Sequence, residues 1–306
     1  MTAAVETARV EQAGARREPK DPRESFTAAR TPVYIAVGLI ALIWVIPAIG
    51  LLVSSFRNPQ AIRQSGWWMV VTDLFSADTW TLDNYATVLD QGFANAFANS
   101  LAVTIPSVAI PITVAAFAAY AFSWMDFPGR TVLFAVVVGL IVVPLQMALI
   151  PILQIYNRFD ITGTFPGLWL AHTGFGLPLA VYLLRNYMGS LPSSLIESAE
   201  VDGADHFKIF TRLILPLSTP VLAAFATLQF LWVWNDYLVA LIFIGVANRA
   251  NNVLTVELAG LAGQFGEGAV SLLPAAAFVT MIVPLVVFFL LQRYFVRGLT
   301  AGSVKG

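Results

Sequence analysis

The sequence predicts an all-α, polytopic membrane protein with six transmembrane helices. Three observations predict it. Of the 306 residues, 58% are hydrophobic and only 11% are charged, where an ordinary soluble domain carries about 25% charged residues. Mean hydropathy is +0.76. The apolar residues also fall into six stretches near the length of about 20 residues that a helix needs to cross the hydrocarbon core of a bilayer.

The elements follow in order. Residues 1–30 mix Arg9, Arg16, Arg17, Lys20, Arg23 and Arg30 with Glu6, Glu11, Glu18, Asp21 and Glu24, and hold few large apolar groups. They read as a disordered, solvated tail. No cleavable signal segment is evident, because the first apolar stretch follows this tail and is long enough to span. Residues 31–306 then read as one transmembrane domain, with spans near 33–54, 100–124, 132–155, 165–187, 216–243 and 272–295. The fourth is the most interrupted. Pro106, Pro111, Pro144, Pro151, Pro178, Pro274 and Pro284 fall inside spans, where they act as structural kinks or as hinges.

Positive charge orients the spans, since cytoplasmic loops carry the excess of Lys and Arg. With the N-terminus inside, only Arg57, Arg63, Arg158 and Arg249 of the 17 basic residues fall outside. Both termini are therefore expected in the cytoplasm. The outside segment 56–99 is long and carries Trp67, Trp68, Trp80 and Tyr85, residues suited to a membrane interface. It reads either as an anchored surface loop or as a docking site for an extracytoplasmic partner.

Composition excludes several chemistries. There is no cysteine, hence no disulfide and no thiolate nucleophile or cysteine metal site. His172 and His206 are too far apart for a local metal motif. No GxxxxGK[ST] loop is present, so the chain cannot bind ATP in the P-loop manner. A net charge of -1 says nothing in favour of nucleic acid.

The segment 191–216 carries the most information. Ser194 and Glu197 form an S-x-x-E pattern expected to make a capping box, with Pro192 just before it. Leu195, Ile196 and Ala199 fall toward one side of the resulting short helix. Gly203 is placed to end it with a positive φ. Asp205 is placed to start a second helix with Phe207, Phe210 and Ile214 at helical spacing, and Leu215-Pro216 then opens the fifth span. The expected product is a rigid helix–turn–helix along the membrane surface, able to pass force from a partner into the bilayer.

Here the sequence resembles the permeases of binding-protein-dependent ATP-binding-cassette importers. Their pattern is Glu-Ala-Ala, three residues, Gly, nine residues, Ile-x-Leu-Pro. This chain has Glu197, Ser198 and Ala199, then Asp202, Gly203 and Ala204, then Leu213, Leu215 and Pro216; Ser198 and Leu213 depart from it. PLQMALIP at 144–151, GFGLPLAVYLLRNYM at 174–188, WVWNDYL at 232–238 and the tail QRYFVRGLTAGSVKG at 292–306 extend the likeness. It is nearest to the second permease subunit of maltose-type transporters. The resemblance implies a type I importer permease fold in a bacterial or archaeal plasma membrane. It implies a second permease subunit, an ATP-binding-cassette ATPase dimer and an extracytoplasmic sugar-binding protein as partners, beside the lipid bilayer. ATP and Mg²⁺ would belong to the ATPase, and this chain would hold no cofactor and perform no covalent chemistry. It also implies that Glu197 to Gly203 couples to the ATPase and that the tail, with Gly302 and Lys305, inserts between the ATPase subunits; a frayed polar terminus is the other reading of that tail.

Polar groups within spans are costly and mark candidate positions on a translocation path. Gln146, Gln229, Asn235 and Asp236 are the candidates, with Trp232, Trp234 and Tyr237 as aromatic faces for sugar rings. Each has a plainer reading. Gln229, Gln146 and His172 suit hydrogen bonds between helices, and Asp236 suits a hydrated carboxylate at the interface. Rival functions are a stand-alone secondary transporter, which calls for buried charges and inverted repeats, a membrane scaffold, and an importer of glycerol phosphate or a polyol.

Overall fold

The computed structural model describes residues 22–72, 79–245, 249–264 and 267–300. The chain divides into two compact units, Met1–Gly50 and Leu51–Gly306. The described part of the first is helical. Helix α1 (Pro22–Ser55) runs through it, and its last residues belong to the second unit. It begins at Pro22, inside the stretch expected to be disordered. Proline suits the first turn of a helix, where its missing N–H forfeits no bond. From Val33 to Ile46 its large apolar side chains are exposed, as a helix surrounded by lipid requires.

In the second unit, the described residues of segment 56–99 form short helices. The segment holds α2 (Pro59–Gln64), a 3₁₀ turn at Trp67–Val71 and α3 (Asp83–Val88). Buried polar groups tie it together. The Arg57 guanidinium donates to the carbonyls of Ala61 and Ser65, and Asn84 Nδ2 donates to the carbonyls of Ser55 and Arg57 at 3.0 and 2.8 Å. A π-helical turn at Leu89–Phe93 follows, in which Gly92 takes φ 111° and admits the kink into α4 (Ala94–Trp124). The helix that carries the second span thus starts at Ala94 rather than near 100.

The third span is broken, where the sequence reading had one helix. Helices α5 (Arg130–Leu140) and α6 (Leu145–Arg158) meet at 102°. Pro144 is the cause: it offers no N–H and steers Val143 away from helical backbone. The fourth span, expected to be the most interrupted, is the unbroken helix α7 (Phe165–Met188). Thr164 caps it by accepting from the Gly167 N–H. Pro178 is accommodated inside it, because α7 lies along α4 in the most extensive helix pair of the fold. Trp169 Nε1 donates to the Ala102 carbonyl and Ser123 Oγ to the Arg185 carbonyl, one bond toward each end of the pair.

The chain continues through α8 (Ser193–Val201) and α9 (His206–Leu217), which is π-helical over Phe210–Ile214. Helix α9 meets α10 (Thr219–Trp234) at 70°. The fifth span ends at Trp234; Asn235 and Asp236 form a break before α11 (Leu238–Phe243). A 3₁₀ turn at Arg249–Asn251, α12 (Leu254–Ala262) and α13 (Glu267–Thr300) complete it. Among the described residues, four helical runs are long and apolar enough to cross a membrane, or up to six if each bent pair counts as one span. Among the described residues the only β-type pairing is an isolated bridge between Arg57 and Trp80.

Three apolar clusters hold the second unit. One joins α4, α7, α8, α9 and α10, with Ala115, Ala119 and Ala180 fully buried beside Leu184, Met188 and Phe225. The alanines let backbones approach closely, which is how helices gain packing where lipid is as apolar as the side chains. A second gathers Leu149, Leu168, Val239 and Phe243. A third gathers Val88, Phe93, Trp234, Leu254 and Ala275. The first cluster is the platform for segment 191–216.

Candidate coupling site

The site begins with the helix α8. Its N-cap is Pro192, in extended backbone at φ -61° and ψ 131°, and no side chain caps it. The expected capping box between Ser194 and Glu197 is therefore not formed. Ser194 lies inside the first turn, where helical backbone turns its hydroxyl away from the free N–H groups, and its carbonyl accepts from Ser198 Oγ instead. The other end is as expected. Gly203 takes φ 76°, its N–H bonds the Glu200 carbonyl at 3.0 Å, and the Ala204 N–H bonds the Ala199 carbonyl at 2.9 Å. That pair of reversed bonds is a Schellman closure.

Asp205 then caps α9 by accepting from the Lys208 N–H at 2.8 Å. That bond, and next the nearby ammonium with Nζ 3.6 Å away, holds the Asp205 carboxyl below the usual carboxylate range. The two capped helices turn Ile196, Ile209, Phe210 and Ile214 inward, all buried. Ala199, Ala204 and Leu215 are partly buried against the same cluster. Glu197, Ser198, Asp202, Gly203 and Pro216 are exposed. Phe207, which the spacing grouped with the inward face, is 67% exposed, and Val201 is 88% exposed. The result is a polar ridge flanked by bare apolar side chains and mounted on a rigid base.

Sequence reasoning missed the residues that hold this base to the second span. Tyr120 Oη lies 3.0 Å from His206 Nδ1. The Phe210 ring packs on Tyr120 and Phe117, with centroids at 5.3 and 4.7 Å. No sequence signal links positions 120 and 206; both read as ordinary aromatic residues in their own helices.

The path candidates do not come together. Gln229 is buried, and its Nε2 donates to the carbonyls of Ser107 and His172, both at 3.3 Å. It pins α10 to α4 and α7, the interhelical bond that was the plainer of its two readings. Asp236 caps α11, its Oδ1 and Oδ2 accepting from the N–H groups of Val239 and Ala240. His172 Nε2 stands 4.0 Å from Asp236 Oδ2. Asp236 is thus a half-buried helix cap rather than a hydrated interfacial carboxylate. Asn235 is exposed, with Nδ2 on the Leu231 carbonyl, and Gln146 is exposed on α6. An open cavity of about 640 Å³ lies in the angle between α5 and α6, lined by Val142, Pro144, Gly174, Phe175 and Trp232. None of the four polar candidates lines it. Gly302 and Lys305 lie outside the described residues.

Residues 93–301 match the family described as "Binding-protein-dependent transport system inner membrane component". The chain belongs to this family. The match opens at the end of the π-helical turn and takes in α4 to α13, with the ridge near its centre. The permease is 54% identical over 277 residues to the osmoprotective compounds uptake permease protein GgtD of Synechocystis sp., covering 90% of this chain and 92% of the relative. It is 44% identical to the alpha-glucoside transport system permease protein AglG of Rhizobium meliloti, covering 90% and 97%. Among solved structures, a chain of a bacterial ABC transporter involved in the import of the acidic polysaccharide alginate superposes with a TM-score of 0.65 at 18% identity, over 90% of this chain and 99% of that one. That likeness establishes the type I importer fold. This family member is thus the multi-pass membrane permease of a binding-protein-dependent importer, and it is not an enzyme.

Proposed function

We propose that this permease pairs with a second permease subunit to form the membrane channel of an ATP-driven sugar importer. Segment 191–216 docks into an ATP-binding-cassette ATPase dimer, both termini lie in the cytoplasm, and a sugar-binding protein delivers cargo on the opposite face. The observation that carries the reading is the ridge of Glu197, Ser198, Asp202 and Gly203, exposed on a base of buried Ile196, Ile209, Phe210 and Ile214. A capped, rigid element presents the same shape in every cycle, which a loose loop cannot do. ATP and Mg²⁺ are held by the ATPase. Its closure pulls the ridge and tilts the spans from inward-facing to outward-facing, and hydrolysis resets them. The tail with Gly302 and Lys305 reaches toward the ATPase pair. Gln146 and Asn235 are exposed and available to a path shared with the second permease; Gln229 and Asp236 are engaged in the fold.

Support for sugar as cargo comes from AglG, a relative named for alpha-glucosides. GgtD, more similar still, is named for osmoprotective compounds, and that favours a second reading in which the cargo is an osmoprotective solute. The test is ATPase activity of the reconstituted complex with loaded binding protein. Stimulation that is lost in Gly203→Pro and Glu197→Lys, with the complex still assembled, supports coupling through the ridge. Wild-type behaviour of both variants, or uptake without any ATPase, sinks it. Competition between an alpha-glucoside and an osmoprotective solute for that stimulation separates the two cargo readings.

A further inference from the structure

The ridge is joined to the fifth span through Ser218, and that joint is bent. Helices α9 and α10 meet at 70°, with Ser218 outside helical geometry at φ -86° and ψ 0°. A pull on α8 and α9 therefore tends to flex this joint before it moves α10 along its axis. The lateral contact is different in kind. Side chains of the first turn of α9 and of its π-helical turn reach the end of α4. His206 Nδ1 is 3.0 Å from Tyr120 Oη, and Phe210 packs on both Tyr120 and Phe117. Tyr120 and Phe210 are only 4% and 3% exposed, so their ring contact is dry and close-packed, and close-packed contacts transmit displacement with little loss; His206 is itself exposed and reaches Tyr120 from the rim of that contact. A tyrosine hydroxyl can donate or accept, so the bond forms with either imidazole tautomer. From α4, motion passes to α7, its most extensive partner, and to α10, which also packs on it.

We propose that Tyr120 and His206 are positioning residues that carry displacement of the ridge directly into the second span, making α4 rather than α10 the first receiver. The inference rests on the coupling role of segment 191–216 and names the route that force takes from it.

The experiment uses the assembled complex in proteoliposomes with loaded binding protein, and reads substrate imported per ATP hydrolysed. Tyr120→Phe keeps the ring against Phe210 and deletes only the hydroxyl. His206→Leu deletes the imidazole, and His206→Asn places an amide near Nδ1. Tyr120→Phe and His206→Leu are each expected to lower the ratio by about 2- to 10-fold, the range that the net contribution of one side-chain hydrogen bond spans. The double variant should fall no further than either single one, and His206→Asn should recover part of the ratio. A role in stability alone would lower the yield of complex and leave the ratio unchanged; that result, or additive losses in the double variant, overturns the proposal. Gly203→Pro in parallel separates the two levels. If it uncouples while Tyr120→Phe does not, the route is wrong and the ridge stands; if it leaves coupling intact, the ridge and the route fail together.

Discussion

Gln229 lies directly over Gly176: a Cβ at position 176 would sit 2.6 Å from Gln229 Oε1. The amide cannot simply swing aside, because its Nε2 is held by the carbonyls of Ser107 and His172 in a buried site. Gly176→Ala should therefore destabilise the permease by about 1–3 kcal/mol, the usual range for overpacking a close-packed core. Thermal unfolding in detergent should show a lower midpoint. Combining it with Gln229→Ser, which clears the space, should cost less than the sum of the two single changes.

Gly203 presents the opposite case. Nothing lies within 4 Å of a Cβ built there, but its φ is +76°. Gly203→Ala should thus cost only backbone strain, about 1–2 kcal/mol, and Gly203→Asn less. If hydrogen exchange at the Ala204 amide is unchanged in Gly203→Ala, the Schellman closure does not depend on glycine.

Asp205 links the cap to pH. Its carboxyl is held low, chiefly by the Lys208 N–H bond and then by the Lys208 charge. A carboxyl whose folded-state pKa is depressed stabilises the fold fully above its unfolded value, about 3.9. That contribution is lost as pH falls from there through the folded-state pKa. A carboxyl titration followed by NMR should give a midpoint below that of an unstructured peptide. Asp205→Asn should keep the cap and lose this pH dependence, whereas Asp205→Ala should speed exchange at the Lys208 amide.

Asn99 secures the far end of the molecule. Its Nδ2 donates to the carbonyls of Ala250 and Asn252 at 2.8 and 2.9 Å, across more than 150 positions of sequence. Asn99→Ala should cost about 1–3 kcal/mol, because the buried Asn252 carbonyl loses its donor. Limited proteolysis should then cut near residue 250 faster than in the wild type. Asn95→Ala, which removes an exposed donor to the same Ala250 carbonyl, should have the smaller effect.

Much of the candidate site was legible from local pattern. Gly203 and Asp205 act through neighbours within five residues, so their turn and cap could be read directly. The Ser194–Glu197 box failed because Pro192 caps the helix two residues earlier than that pattern requires. The role of Gln229 was open in sequence, since a buried amide serves a path or a pin equally well until its partners are known. Tyr120 was invisible, because its partner lies 86 positions away and no local periodicity encodes such a pairing.

The sequence by itself determined that this is a helical membrane protein with about six spans, and where the candidate coupling ridge lies along the chain. Apolar length and composition suffice for the first, since hydrocarbon thickness sets a fixed requirement. Short-range turn chemistry suffices for the second. Only the tertiary structure decided that the third span breaks with a bend of 102° while the fourth, richer in glycine, runs unbroken. Hydropathy sums residues over a window and carries no direction, so it cannot see a bend. The tertiary structure also decided which helix the ridge leans on, because packing against α4 depends on where distant turns place each helix, not on any residue's immediate neighbours.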